Sequence, residues 1–205
     1  MNERDVFINC PFSVDYRENF QAIIFAVVRS GFIPRCAREN DDGGEVRFDK
    51  ICRIITESRY GIHDISKTEP DPASGLPRFN MPLELGLFLG ARKFGGRAQA
   101  RKKALILDRD PHRYQQFISD IAGQDIHAHG GDRHRLIEEI ATWLRDEAND
   151  AGVPGGRAIV AEFKRFGNDL PTIAASKRLD VSELTFKDLA AIAASWIVAD
   201  SEVIR

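Results

Sequence analysis

"DVFINCPFSVDYRENFQAIIFAVVRSGFIPRC", residues 5–36, is the stretch whose reading decides the fold. Its first apolar run, DVFINC, ends at Pro11, as a buried strand does when proline removes the next ladder donor. YRENFQAIIFAVVRSG, residues 16–31, then repeats its apolar positions at helical spacing and closes on Gly31, a residue suited to the left-handed turn that ends a helix. FIPRC, residues 32–36, starts a second extended run. Strand, helix and strand in that order predict a parallel crossover, because parallel neighbours need a long connection.

The alternation continues outward. RFDKICRIITES (47–58) sets Ile51, Ile54 and Ile55 on one helix face, and YGIHDIS (60–66) reads as a third strand. NMPLELGLFLGARKF (80–94) is a helix, KALILD (103–108) a fourth strand, and HRYQQFISDI (112–121) a further helix. A short strand is expected near QDIHA (124–128), before the amphipathic helix RHRLIEEIATWLRDEAND (133–150). The pattern predicts an α/β domain over 1–150, a doubly wound parallel sheet of about five strands with helices on both faces. AGVPGG (151–156) is the expected linker to a helical C-terminal extension, 151–205. That extension shows three helical patches, 157–166, 171–179 and 183–199, the last with Thr185 and Asp188 at capping-box spacing. Its apolar FKDLAAIAASWIVA run suggests self-association anchored by Trp196, or a protein partner.

The 205 residues are 43% hydrophobic and 29% charged, with a formal net charge of −2 and basic residues dispersed among acidic ones. This argues against a nucleic-acid partner and for small-molecule or protein partners. The three cysteines, Cys10, Cys36 and Cys52, match no zinc spacing and read as reduced core residues. An N-terminus without an apolar signal region and the lack of a membrane-length apolar run lead to the expectation of a cytoplasmic protein with no membrane partner. His127, His129 and His134 lack acidic or cysteine partners at helical offsets, so no metal site is expected. There is no Walker A loop, no G-x-G-x-x-G and no nucleophile elbow around Ser66 and His63.

In open parallel sheets, ligands bind beyond the carboxyl ends of the strands. Those ends deliver Asn9, Pro11 and Phe12 from strand one, Arg35 and Arg38 from strand two, and His63, Asp64 and Ser66 from strand three. Asp108 and Asp110 follow strand four. The proline-rich loop KTEPDPASGLPRFN (67–80), which carries Asp71 and ends at Asn80, leads into a helix whose early turns hold Glu84 among leucines. A carboxylate among apolar residues faces a cleft or complements the helix dipole, and both readings stand. Gly86 and Gly90 would admit a flat ligand or another backbone. For Asp64 the alternatives are a structural cap and a helper in the site. For Arg35 and Arg38 they are surface charges and phosphate contacts.

DVFINCPF, the Asp closing strand three and NMPLELGLFLGA together resemble the nucleoside 2-deoxyribosyltransferases, in which the catalytic glutamate sits in a Glu-x-Gly helix. The opening RDVFIN also looks like a TIR domain, whose catalytic glutamate follows strand three. The resemblance covers roughly residues 4–143. It implies a flavodoxin-like architecture and cleavage of the bond between a ribose and a base. It makes Glu84 the catalytic glutamate, Asp64 a helper at base or ribose, and Asn9 with Phe12 part of the nucleoside wall. Pro11, Arg35, Asp71 and Asn80 complete the expected substrate-binding set.

The expected activity is therefore that of an N-glycosyl-bond hydrolase or transferase on a nucleotide, NAD first, with no separate cofactor and with an effector role in bacterial anti-phage defence permitted. A carboxylate near the anomeric carbon stabilises or attacks the oxocarbenium-like centre. A neutral purine also needs a general acid, such as Asp64 or Asp71 with a raised pKa, whereas cationic nicotinamide leaves unaided. The alternative class is a non-catalytic nucleotide sensor or TIR-like interaction module using the same cleft.

Overall fold

Apolar runs that alternate with amphipathic helices bury best as a sheet covered on both faces, and the computed structural model has that arrangement. It describes residues 1–40, 42–71, 75–148 and 152–203. Five strands, β1 (Asn2–Asn9), β2 (Ile33–Arg35), β3 (Ser58–Asp64), β4 (Lys103–Asp108) and β5 (Ile126–Ala128), form one sheet in the order β2-β1-β3-β4-β5. All neighbouring pairs are parallel. This is a flavodoxin-like sheet. Pro34 lies in edge strand β2, where a missing N–H costs little.

Helix α1 (Arg17–Arg29) ends as expected at Gly31, whose φ of 78° lets the Phe32 amide reach back 3.1 Å to the Val27 carbonyl. Helices α2 (Arg47–Glu57), α3 (Asn80–Phe94) and α4 (Arg133–Ala148) follow their strands. Gly61 in β3 leaves room for α3: a Cβ there would stand 2.6 Å from His63 Nε2 and 2.8 Å from the Phe88 ring.

The expected helix over 112–121 is replaced by two 3₁₀ turns, Arg113–Gln116 and Ser119–Ile121. Its apolar residues still do the packing, since Tyr114, Phe117, Ile118 and Ile121 cover Ile65, Met81, Leu85 and Ile106. Arg113 ties the segment down instead of helical bonds, donating to Asp108 Oδ1 at 2.6 and 2.8 Å, to the Ile65 carbonyl and to Thr68.

The domain division expected at 150/151 lies outside the described residues. Beyond it, the first two helical patches merge into one helix, α5 (Gly156–Ser176), with Pro171 inside it. Proline there leaves the Gly167 carbonyl without its usual donor, and burial of Phe166, Leu170 and Ala174 outweighs that loss. Helix α6 (Phe186–Val203) carries the Thr185–Asp188 cap, the Thr185 amide donating 3.0 Å to Asp188 Oδ2. Both helices share the core of the sheet domain. Trp196, expected to anchor a second copy, packs instead on Phe25 of α1 and Phe166 of α5, and its Nε1 donates 2.8 Å to Asp169. No helix among the described residues is long and apolar enough to cross a membrane.

Candidate active site

Strand order reverses between β1 and β3, and the chain leaving their carboxyl ends must part in opposite directions, opening a crevice. A cleft of about 770 Å³ lies there. Its walls include Asn9 at the end of β1, Pro11 and Phe12 after it, Ser66 after β3, Asp71 and Asn80 before or at the start of α3, and Glu84 within it. The structure thus brings Glu84 together with Asn9, Pro11, Phe12, Asp71 and Asn80 of the expected substrate-binding set, whereas of the other strand-end residues only Ser66 lines the cleft. Arg35 lies outside it. Its guanidinium is spent on Asp5 at 2.5 Å, Glu39 at 2.6 Å and Glu57 at 3.0 Å, a network that pins β1, β2 and α2 together.

Glu84 is only 8% exposed, and no described residue hydrogen-bonds or ion-pairs its carboxylate. Burial pushes its pKa up to about 7, with the Arg47 charge acting weakly the other way. It sits on the second turn of α3, and the first turn is held by Asn9, whose Nδ2 donates 2.8 Å to the Met81 carbonyl and lies 3.0 Å from His63 Nδ1. His63 is fully buried, and desolvation, reinforced by Lys102, lowers its pKa to about 3, so it remains the neutral acceptor of that bond. Asn9 therefore fastens the glutamate helix to the end of β1. Gly86 is exposed, and neither it nor Gly90 lines the cleft.

Asp64 lies behind the wall rather than in it. Its carboxylate is fully buried and accepts from the Tyr16 hydroxyl and from the Ser66 amide at 2.8 Å, with His129 Nε2 at 3.4 Å. Burial alone would raise its pKa, but His129, Ser66 and Tyr16 together bring it below the ordinary value. The expectation of Asp64 as an acid with a raised pKa is corrected by these partners: it stays ionised and orders Tyr16 and His129, both of which reach the cleft. Neither was singled out for this role in the sequence, since one lies in a helix start and the other in a histidine cluster. His127 pairs with Glu139 at 2.6 Å instead, and no group of three metal-binding side chains occurs among the described residues.

The rim carries charges of both signs, most of them paired. Lys67 pairs with Asp15, Arg109 with Glu69 and Asp110 at 2.8 Å each, and Arg78 stands 3.9 Å from Asp71. Arg47, the first residue of α2, is exposed, makes no hydrogen bond or ion pair with a described residue, and its charge acts on Glu84. A buried carboxylate in a cleft that Pro11, Phe12 and Met81 also line suits a ligand with a polar, positively charged reacting centre. No family model matches this chain, and comparison with curated proteins finds no match.

Proposed function

We propose that the protein cleaves the N-glycosyl bond of a nucleotide, with Glu84 as the catalytic carboxylate and NAD as the first candidate substrate. The observation that carries this reading is the unpartnered Glu84 carboxylate, buried in the wall of the cleft at the strand-order reversal. An isolated buried carboxylate is costly unless its charge meets an opposite one, and an oxocarbenium-like centre supplies that charge only at the transition state. The bond between C1′ and the base nitrogen breaks, its electron pair leaves with the base, and water or an acceptor hydroxyl adds to C1′.

The state of Asp64 removes one of the two candidate general acids, Asp71 in the cleft wall being the other. Held ionised by Tyr16, Ser66 and His129, Asp64 has no proton to give a departing purine. A base that is already cationic, as nicotinamide is in NAD, leaves neutral without an acid.

The test is incubation of the full chain with nucleosides, nucleotides and NAD, followed by chromatography for free base. Base release that is lost in Glu84→Gln supports the reading. Tight nucleotide binding without any product identifies a sensor instead.

A further inference from the structure

A second cavity, about 590 Å³, adjoins the cleft, and Arg47 lines both. It is closed by two parts of the chain far apart in sequence: the segment after β2 with the start of α2, and the turn Val181–Glu183 with the start of α6. Its floor is apolar, with Phe20 and Phe186 stacked at 6.1 Å between ring centroids and Leu189 beside them. Its walls carry Arg17, Arg38, Arg47 and Lys50.

Among the described acids on these walls, Glu45 is ion-paired and Asp42 holds its own turn. Glu45 takes Arg53 at 3.0 Å and Lys50 at 3.7 Å, and Asp42 accepts the Gly44 amide at 2.9 Å. Arg17 and Arg47 are exposed and make no hydrogen bond or ion pair with described residues. Arg38 lies 4.6 Å above the Phe12 ring and donates to the Phe12 carbonyl at 3.3 Å, so the partition between the two cavities is a guanidinium stacked on a cleft residue. Three arginines with donors to spare, set around an apolar floor, recognise phosphates attached to a flat base.

We propose that this cavity receives the second nucleotide of a dinucleotide substrate, with Arg17, Arg38 and Arg47 around the pyrophosphate. The proposal rests on the N-glycosyl reading only for which end is cleaved. Each cavity falls within the size range of a single small-ligand pocket, and their shared wall is where the bridging phosphates would lie. The substrate class is then dinucleotide, ahead of mononucleotide and nucleoside.

Two measurements on the full chain test this separately from catalysis. The first is calorimetric affinity for ADP-ribose, which lacks the scissile base, in the wild type, Arg17→Ala and Arg38→Ala. The second is KM for NAD and for nicotinamide riboside in the same proteins. Loss of Arg17 should weaken ADP-ribose on the order of tenfold and raise KM for NAD similarly, against less than about twofold for the riboside, whereas loss of Arg38, which also frees Phe12, should weaken ADP-ribose on the order of tenfold and raise KM for both substrates. ADP-ribose affinity that fails to respond to either substitution, or no ADP-ribose binding at all, overturns the proposal even if NAD is cleaved. ADP-ribose binding that needs both arginines, with no base released from any substrate, upholds the cavity and removes the cleavage reading alone.

Discussion

Replacing Glu84 by Gln should make the protein more stable at alkaline pH while it removes activity. The folded chain holds the Glu84 proton up to about pH 7, against 4.5 for the free side chain. Between those values unfolding releases the proton, so stability falls as pH rises through this window. At about 1.4 kcal/mol per pH unit, the penalty on the wild type above neutrality is about 3 kcal/mol. Glutamine is neutral throughout and never carries it. The pH-independent cost of exchanging a carboxyl for an amide is common to all conditions and cancels when two pH values are compared. The melting temperature of Glu84→Gln relative to wild type should therefore climb by roughly 5–10 °C between about pH 5 and pH 8. Base release should fall on the order of a thousandfold or more, because the amide cannot offset a developing oxocarbenium charge. In the wild type, release from NAD should rise with pH to a plateau above about 7, as the carboxylate ionises. Paired calorimetric scans and a base-release assay across the pH range check all three. A melting-temperature difference that stays flat from acid to alkaline pH would show that Glu84 carries no buried charge, and the catalytic assignment would fall with it.

Asp64→Asn should cost about 2–4 kcal/mol by denaturant unfolding, since it strips the Tyr16 hydroxyl and His129 of their anionic partner, and tolerance of the change would show the network to be incidental. Gly61→Ala should destabilise by about 2 kcal/mol or more, because its Cβ would stand 2.6 Å from His63 Nε2 and 2.8 Å from the Phe88 ring under α3. Trp196→Ala should lower stability by about 3–5 kcal/mol in one cooperative transition, because Phe25 and Phe166 lose a shared neighbour. A separate early transition of 152–203 would contradict the common core.

The alternation of DVFINC, the 16–31 helix and FIPRC determined the parallel sheet, and with it the edge at which Asn9, Phe12 and Glu84 meet. That was legible because strand and helix periods are local, and because a parallel sheet has only one edge where loops gather ligand-binding groups. The Thr185–Asp188 cap was legible for the same reason: its partners are three residues apart. Where a side chain's partner lies far along the chain, periodicity is silent. Arg35 reads from the sequence as a surface charge or a phosphate contact, and Asp5 and Glu57, brought together by the β1–β2 pairing and α2, absorb its charge. Asp64 reads from the sequence as a structural cap or a helper in the site, and Tyr16, 48 residues before it, and His129, 65 residues after, close over it and decide against the acid role. The 112–121 segment had the spacing of a helix, yet long-range bonds from Arg113 and burial of its apolar side chains hold it as 3₁₀ turns. Arg47, at the start of α2, comes to line both cavities only because α6 approaches the segment after β2. Sequence spacing sets which backbone each residue sits on, whereas its protonation state and its partner depend on which distant segments exclude water around it.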